Sequence, residues 1–258
     1  PTVCAGLLDY WREHDTSVPT LRIMIIGGAA VPSSMVEAFD KEFGVEVRQG
    51  WGMTEMSPIG SVNVLKPEQR AAPEAERYDI QIRQGRAVYG VEMKIVDAEG
   101  NTLPCDGEAF GELKVRGPCV SRAYYREGDA VDSEGWFATG DVATIDSDGY
   151  MHITDRMKDL IKSGGEWISS IELENLAMSH PDVMQAAVIG VPDEKWTERP
   201  LLIVESKSGA APSKKDLLGF FKGKVADWSI PDDVVMVEEL PMGGTGKVQK
   251  SELRNTYA

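Results

Sequence analysis

Cysteine and histidine are scarce, with three of each in 258 residues. Cys4, Cys105 and Cys119 are neither paired by spacing nor set beside His14, His152 or His180. That excludes a disulfide framework and a zinc site legible from the sequence, and it sets the expectation of free thiols in a reducing cytoplasm with no zinc. Basic charge is scarce too. The 27 Lys and Arg are outnumbered by 42 Asp and Glu, a net charge of −15, whereas a nucleic-acid binder needs a basic face. No apolar run approaches the roughly 20 residues of a membrane-spanning helix, and the given residues contain no leader-like segment.

The acidic excess is unevenly spread. Residues 1–155 carry 14 basic and 26 acidic side chains, a net of −12, and residues 156–258 carry 13 and 16, a net of −3. A polyanionic ligand meets less repulsion in the second segment, where Arg156, Lys158 and Lys162 lie close together. A chain of this length can bury a sizeable core and holds more than one domain or subdomain.

The boundary between the two segments falls in a dense run, residues 139–165, T-G-D-V-A-T-I-D-S-D-G-Y-M-H-I-T-D-R-M-K-D-L-I-K-S-G-G. Asp141, after Thr139 and Gly140, reads as a carboxylate at the end of a tight turn, able to accept hydrogen bonds from vicinal hydroxyls such as those of a ribose. Arg156 adds a second grip. Met157-Lys158-Asp159 is exposed in composition and free of β-branched residues, as a hinge requires, and Gly164-Gly165 lets a ligand approach the main chain closely. For Asp141 or Gly164 taken singly, an ordinary turn in a charged loop is the better explanation.

Upstream, residues 7–11 read as a helix end and 21–26 as a buried parallel strand. Ser33 or Ser34 is placed to cap a helix through Met35, Val36 and Phe39, and 45–47 is the next strand. That order sets residues 27–30 and 49–55 at strand carboxyl ends, where open α/β sheets bind ligands. In 49–55, Q-G-W-G-M-T-E, Trp51 is either a π face for a purine or an ordinary core aromatic. Gly50 and Gly52 keep the backbone thin, Thr54 offers a hydroxyl to a phosphate, and Glu55 is either a hard oxygen ligand for Mg²⁺ or a solvated acid.

From 78 to 125, short alternating strands such as 91–96 and 112–115 are broken by Gly100-Asn101, Asp106-Gly107 and Gly117-Pro118, which predicts a small antiparallel barrel. Beyond the hinge, Ser169 and Glu172 form a capping box for a helix ending near His180. Strands follow at 183–191, 201–204 and 234–237, with a helix capped by Ser213 and running to about Val225, a compact α+β arrangement. Gly243-Gly244-Thr245-Gly246-Lys247 is not a phosphate loop of the G-x-x-x-x-G-K-[ST] kind. Pro241 stands where its first glycine belongs and Val248 replaces the hydroxyl.

Five blocks in order, G-G-A-A-V-P (27–32), Q-G-W-G-M-T-E (49–55), T-G-D (139–141), D-R-M-K-D-L-I-K-S-G-G (155–165) and P-M-G-G-T-G-K (241–247), resemble the adenylate-forming acyl-CoA synthetases, nearest their fatty-acid branch. The resemblance implies an α/β fold with α+β: residues 1–155 close a large AMP-binding domain with its β-barrel subdomain. Residues 156–258 form a mobile lid hinged at about 156–160. It further implies the carboxyl-terminal portion of a protein about twice as long, whose phosphate loop lies upstream.

The function implied is ATP-dependent activation of a carboxylic acid, in the fatty-acid class, as acyl-AMP, then thioester formation with CoA, releasing AMP and pyrophosphate. By the same resemblance, ATP and AMP contact Gly28, Ala29, Gln49, Gly50, Trp51 and Gly52, then Thr54, Asp141, Ile153, Arg156 and Lys247. Glu55 holds Mg²⁺, and Lys247, Thr54 and Glu55 are catalytic. Lys158 is the pivot, Lys162, Gly164 and Gly165 meet CoA, and Gly28, Ala29, Gly52, Met53, Ser57 and Pro58 line the acyl pocket. Arg122-Ala123-Tyr124-Tyr125 departs from the glycine-aromatic pair usual in relatives, a change expected to affect packing more than chemistry. The alternatives are an adenylating enzyme with a carrier protein or another acceptor, and a non-catalytic nucleotide-binding fragment. Acyl length and oligomeric state stay open, a homodimer through the large domain being one expectation.

Overall fold

A computed structural model describes residues 1–244 and 247–258, so Thr245 and Gly246 of the glycine turn lie outside it. The chain divides into two compact units, Pro1–Ile153 and Thr154–Ala258.

The first unit opens with α1 (Thr2–Glu13), β1 (Ile23–Gly27), α2 (Ser33–Phe43) and β2 (Glu46–Gly52). β1 and β2 pair in parallel, with Gly27 opposite Gly50. The crossover is held by apolar burial: Val36 and Phe39, three apart on α2, are fully buried in one cluster with Leu8, Trp11, Ile26 and Val47. Each such side chain contributes roughly 1.5–3 kcal/mol. Neither Ser33 nor Ser34 caps α2. Pro32 holds the cap position without a side-chain acceptor, and the Ser33 hydroxyl is turned to the Glu37 carboxylate, 3.5 Å away.

β2 continues to Gly52, so Gln49 to Gly52 belong to the strand and the loop begins only at Met53. β3 (Ile59–Val62), the short helices α3 (Pro67–Arg70) and α4 (Glu74–Gln81), and β4 (Arg86–Ala87) complete a sheet ordered β1-β2-β3-β4. Ile23 and Ile25 are exposed on its edge strand.

A second sheet follows: β5 (Glu92–Val96), β6 (Phe110–Arg116), β7 (Phe137–Ile145) and β8 (Met151–Arg156), paired in that order. On β6, Gly111, Leu113 and Val115 are buried while Glu112, Lys114 and Arg116 face outward, the period-2 pattern of a strand with one covered face. Among the described residues β5 and β8 do not pair, so the sheet is open and the expected closed barrel is corrected. Alternation specifies strands, whereas closure needs pairing between the first and last of them.

The second unit continues with β9 (Ile161–Ser163), β10 (Glu166–Ile168), α5 (Ser170–Met178), β11 (Val183–Asp193), β12 (Thr197–Ser206), α6 (Lys214–Phe221), β13 (Asp233–Val237) and α7 (Lys250–Tyr257). β12 pairs antiparallel with β11 and β9 and parallel with β13. Both its faces are covered. Leu202 and Val204 pack with Leu173, Leu217 and Phe221 from α5 and α6, and Leu201 and Ile203 pack with Leu240 and with Leu253 of α7. A strand buried on two faces reads as a continuous apolar run, as 201–204 does.

Ser169 caps α5 by accepting the Glu172 N–H at 3.1 Å, and Ser213 caps α6 through the Asp216 N–H at 3.1 Å. α6 stops at Phe221, short of Val225, because Lys222 leaves helical geometry and the chain turns to lay Val225 against the core. No helix among the described residues is long and apolar enough to cross a membrane.

Candidate functional site

In the first unit the loop after β1 begins beside β2. A Cβ on Gly27 would lie 2.7 Å from the Gly50 carbonyl oxygen, so the two backbones touch and Gly28 and Ala29 leave the sheet next to Gly50. Gly52 is thin for the chain's own sake: a Cβ there would fall 1.9 Å from the carbonyl oxygen of Pro58. This contact draws Met53, Ser57 and Pro58 around one small loop. Gln49 is buried, and its Oε1 has no hydrogen-bond partner among the described residues. A buried acceptor left in this way is costly unless something donates to it.

Asp141 does not stand at a tight turn. It lies within β7, 2 % exposed. Gly140, with φ of 70°, marks a bulge where the β6–β7 register shifts, and a bulge re-aims the side chain that follows it. The Asp141 carboxylate accepts the indole N–H of Trp51 at 3.0 Å, and its own N–H donates to Thr139 Oγ1 at 3.1 Å. Trp51 is 8 % exposed, packs in the apolar cluster of the second sheet, and overlies Gly60, where a Cβ would meet its ring at 2.5 Å. Ile153 packs at the edge of that cluster.

Thr54 and Glu55 form a single helical turn, Thr54–Met56, on the rim of a cleft of about 420 Å³ lined also by Ser57, Pro118, Cys119, Val120, Ser121 and Tyr124. The Tyr124 hydroxyl donates to Glu55 Oε1 at 2.7 Å, and the Ser121 N–H donates to the Glu55 carbonyl at 2.6 Å. The carboxylate in turn pushes the Tyr124 phenol up from its ordinary value. Tyr124 therefore touches Glu55, whereas the sequence predicts that this segment affects packing more than chemistry. Sixty-nine residues separate the pair, and no local pattern links them.

No group of three or more His, Cys, Asp or Glu among the described residues could hold a metal ion. The donors present, one carboxylate and one hydroxyl, fit Mg²⁺, which is commonly held by one or two carboxylates together with substrate phosphates.

In the second unit, the Asp159 and Leu160 N–H groups both donate to the Arg156 carbonyl at 2.9 Å, a turn that leaves Lys158 exposed. Asp159 is not exposed as its composition suggested: it is buried against Arg254, 2.6 Å away. Gly164 and Gly165, with φ of 61° and 92°, are the two central residues of the β9–β10 hairpin, Ser163 facing Glu166. Two left-handed residues in a two-residue loop is what such hairpins require, so the glycine pair has a backbone reason of its own. Trp196 lies over Gly164, whose added Cβ would meet its ring at 2.6 Å. Lys162 sits 4.6 Å from the Trp167 ring centre. Lys247 is exposed, its carbonyl accepting the Gly243 N–H at 2.7 Å.

Residues 1–125 match the sequence profile of the AMP-binding enzyme family, and residues 172–247 match that of the AMP-binding enzyme C-terminal domain. The chain belongs to this family. It is 51 % identical over its whole length to 48 % of the 3-methylmercaptopropionyl-CoA ligase of Ruegeria pomeroyi. It is 46 % identical, again over its whole length, to 47 % of the medium-chain-fatty-acid–CoA ligase of Ectopseudomonas oleovorans. Among solved structures it is similar to the amide bond synthetase McbA of Marinactinospora thermotolerans, with a TM-score of 0.84 and 30 % identity over all of this chain and 51 % of that one. The chain spans about half the length of the curated relatives it matches.

Proposed function

We propose that the chain is the carboxyl-terminal part of an acyl-CoA ligase that activates a carboxylic acid of the fatty-acid class as an acyl-adenylate and transfers the acyl group to CoA. The observation that carries the reading is identity of 46 to 51 % across every residue with relatives named as CoA ligases. The rim pair Thr54 and Glu55, and the buried acceptor of Gln49, support it from the structure.

A carboxylate is a poor acyl donor because it lacks a leaving group. In the first half-reaction a carboxylate oxygen of the acid forms a bond to the α-phosphorus of ATP as the bond to pyrophosphate breaks. No general base is needed, because the acid is already ionised at neutral pH. Negative charge gathers on the α-phosphate oxygens, where the Thr54 hydroxyl and the Lys247 ammonium stabilise it. Glu55 would hold Mg²⁺, which when bound neutralises phosphate charge.

Asp141 receives the ribose hydroxyls, oriented by the Trp51 indole, with Arg156 as a second contact. Gln49, Gly28, Ala29 and Ile153 frame the base. In the second half-reaction the CoA sulfur bonds to the acyl carbon, the bond to AMP breaks and the thiol proton is released. Residues 156–258 turn about Lys158 between the two steps, and Lys162, Gly164 and Gly165 face CoA.

The test is made on the full-length protein with Lys247→Ala. ATP–pyrophosphate exchange falls by at least about 100-fold, as expected when a transition-state charge partner is removed, while thioester formation from supplied acyl-adenylate continues. Equal loss of both steps sinks the assignment of Lys247. A panel of straight-chain acids with 3-methylmercaptopropionate then ranks the substrate. An amine offered beside CoA tests the acceptor, because McbA is named for amide bonds.

A further inference from the structure

A buried polar cluster in the second unit is used by no step of the proposed reaction. Lys250, the first residue of α7, places its ammonium 2.6 Å from Glu174 Oε1 on α5 and 2.6 Å from Ser170 Oγ. Glu174 Oε1 also accepts the Val188 N–H at 2.8 Å. Ser170 donates its N–H to Asp155 Oδ2 at 2.5 Å, and Asp155 Oδ1 accepts the N–H of Arg156 at 2.6 Å. Asp155 and Ser170 are fully buried, and the side chains of Lys250 and Glu174 are 13 % and 14 % exposed.

One turn along α7, Arg254 reaches Asp159 Oδ1 at 2.6 Å. Residues four apart share a helix face, so one face of α7 is fastened twice. Arg254 binds Asp159 directly, and Lys250 is joined through Ser170 to Asp155. Both carboxylates flank the turn that carries Lys158.

Lys250 is an unfavourable choice for helix stability alone. A cation at the first helical position meets the positive end of the helix dipole, and a nearly buried ammonium must be paired to be tolerated. Its position along the chain explains what it fixes. Lys247 is three residues upstream, in a turn closed by the Gly243 N–H on the Lys247 carbonyl and by the Gln249 N–H on the Pro241 carbonyl at 2.8 Å. The first residue of α7 therefore sets where that turn ends.

We infer that Lys250, with Arg254, is a positioning residue for adenylation: through Glu174 on α5 and Asp159 just beyond the pivot it holds the Lys247 turn in fixed register with the rest of the turning segment, so that rotation about Lys158 carries Lys247 as part of one rigid body. This rests on the roles of Lys247 and Lys158 given above. Without the clasp, rotation at the pivot is absorbed by the loosened start of α7. Lys247 then arrives misplaced, and a misplacement of about 1 Å costs on the order of 100-fold in rate.

The experiment uses the full-length protein and three variants, Lys247→Ala, Lys250→Met and Lys250→Arg. Its readouts are ATP–pyrophosphate exchange, thioester formation from supplied acyl-adenylate, and amide hydrogen exchange over residues 247–254. Lys250→Met is expected to lower pyrophosphate exchange roughly 10- to 100-fold, to spare thioester formation, and to speed amide exchange at the start of α7. Lys250→Arg, which keeps the charge and its partners, restores most of the lost rate.

Full pyrophosphate exchange in Lys250→Met, or equal loss of both half-reactions, overturns the inference. If Lys250→Met fails to fold, Arg254→Gln carries the test, with the same split expected at smaller size and an unsplit loss counting against it. Full pyrophosphate exchange in Lys247→Ala rejects the role of Lys247 itself, and the amide readout then decides the clasp alone. No acceleration over 247–254 overturns it.

Discussion

The two units manage their carboxylates in opposite ways. In residues 1–153, Asp97, Asp106 and Asp132 sit in turns, Asp97 half-buried and the other two exposed. Hydrogen bonds hold all three below the usual carboxylate range: from the Asn101 side chain and N–H to Asp97, from the Ala109 and Glu108 N–H groups to Asp106, and from the Trp136 N–H to Asp132. In residues 154–258, burial pushes Asp155 and Glu174 up, against the opposing pull of Lys250. A turn carboxylate finds its donors within four residues and fixes only its own loop. A buried one needs a counter-charge from far along the chain, so it ties distant segments together.

Removing Glu174 breaks this comparison with the largest effect. Glu174→Ala leaves the Lys250 ammonium nearly buried without its carboxylate, and losing one partner of such a pair costs about 3–5 kcal/mol. Urea unfolding followed by amide exchange of β11 and β12 reads the loss, and Asp106→Ala serves as the matched change in a turn. A Glu174→Ala shift no larger than that of Asp106→Ala erases the distinction between the two kinds of carboxylate.

Asp141 is the exception in the first unit, a buried carboxylate that accepts a neutral donor, the Trp51 indole. Trp51→Phe keeps most of the ring and removes the N–H. The cost is roughly 1–3 kcal/mol of stability, with weaker binding of AMP because the acid is no longer oriented. Calorimetric titration with AMP and urea unfolding measure the two effects separately. Unchanged AMP affinity in a destabilised variant takes Asp141 out of the nucleotide site and leaves it a structural group.

What could be read from the sequence follows the same division between local and distant. The Ser169 cap was legible because Ser-x-x-Glu is complete within four residues, and the strand at 201–204 because double burial leaves an unbroken apolar run. Gly164-Gly165 was visible as a pair, yet its hairpin geometry shows that the backbone alone demands it. Thr139-Gly140-Asp141 looked like a turn because a bulge uses the same glycine as a turn does. Contacts such as Tyr124 with Glu55 or Lys250 with Glu174 join positions tens of residues apart, and spacing cannot encode them. Sheet closure is distant in the same sense, so alternation and turn residues predict a barrel where the sheet is open.

The smallest effect sharpens the comparison most, because the two units differ in sign. A turn carboxylate whose folded value is lowered binds its proton less tightly in the folded state. Its contribution is complete above the ordinary range near about pH 4 and is lost as pH falls through the depressed folded value. For Asp155 and Glu174 the folded state binds the proton more tightly, so their contribution is complete at low pH and is lost as pH rises from about 4 toward the raised folded values. Asp233 opposes this within the second unit, held low by Lys214, but that pair is at the surface and salt screens it. At high salt, amide protection between pH 3 and 7 is therefore expected to rise with pH over β5 to β7 and to fall over β11 and β12. Glu174→Gln reduces the second trend to the share of Asp155 and leaves the first unchanged. Parallel trends in the two units would mean that Lys250 outweighs burial, and that the clasp is held by a fully ionised pair.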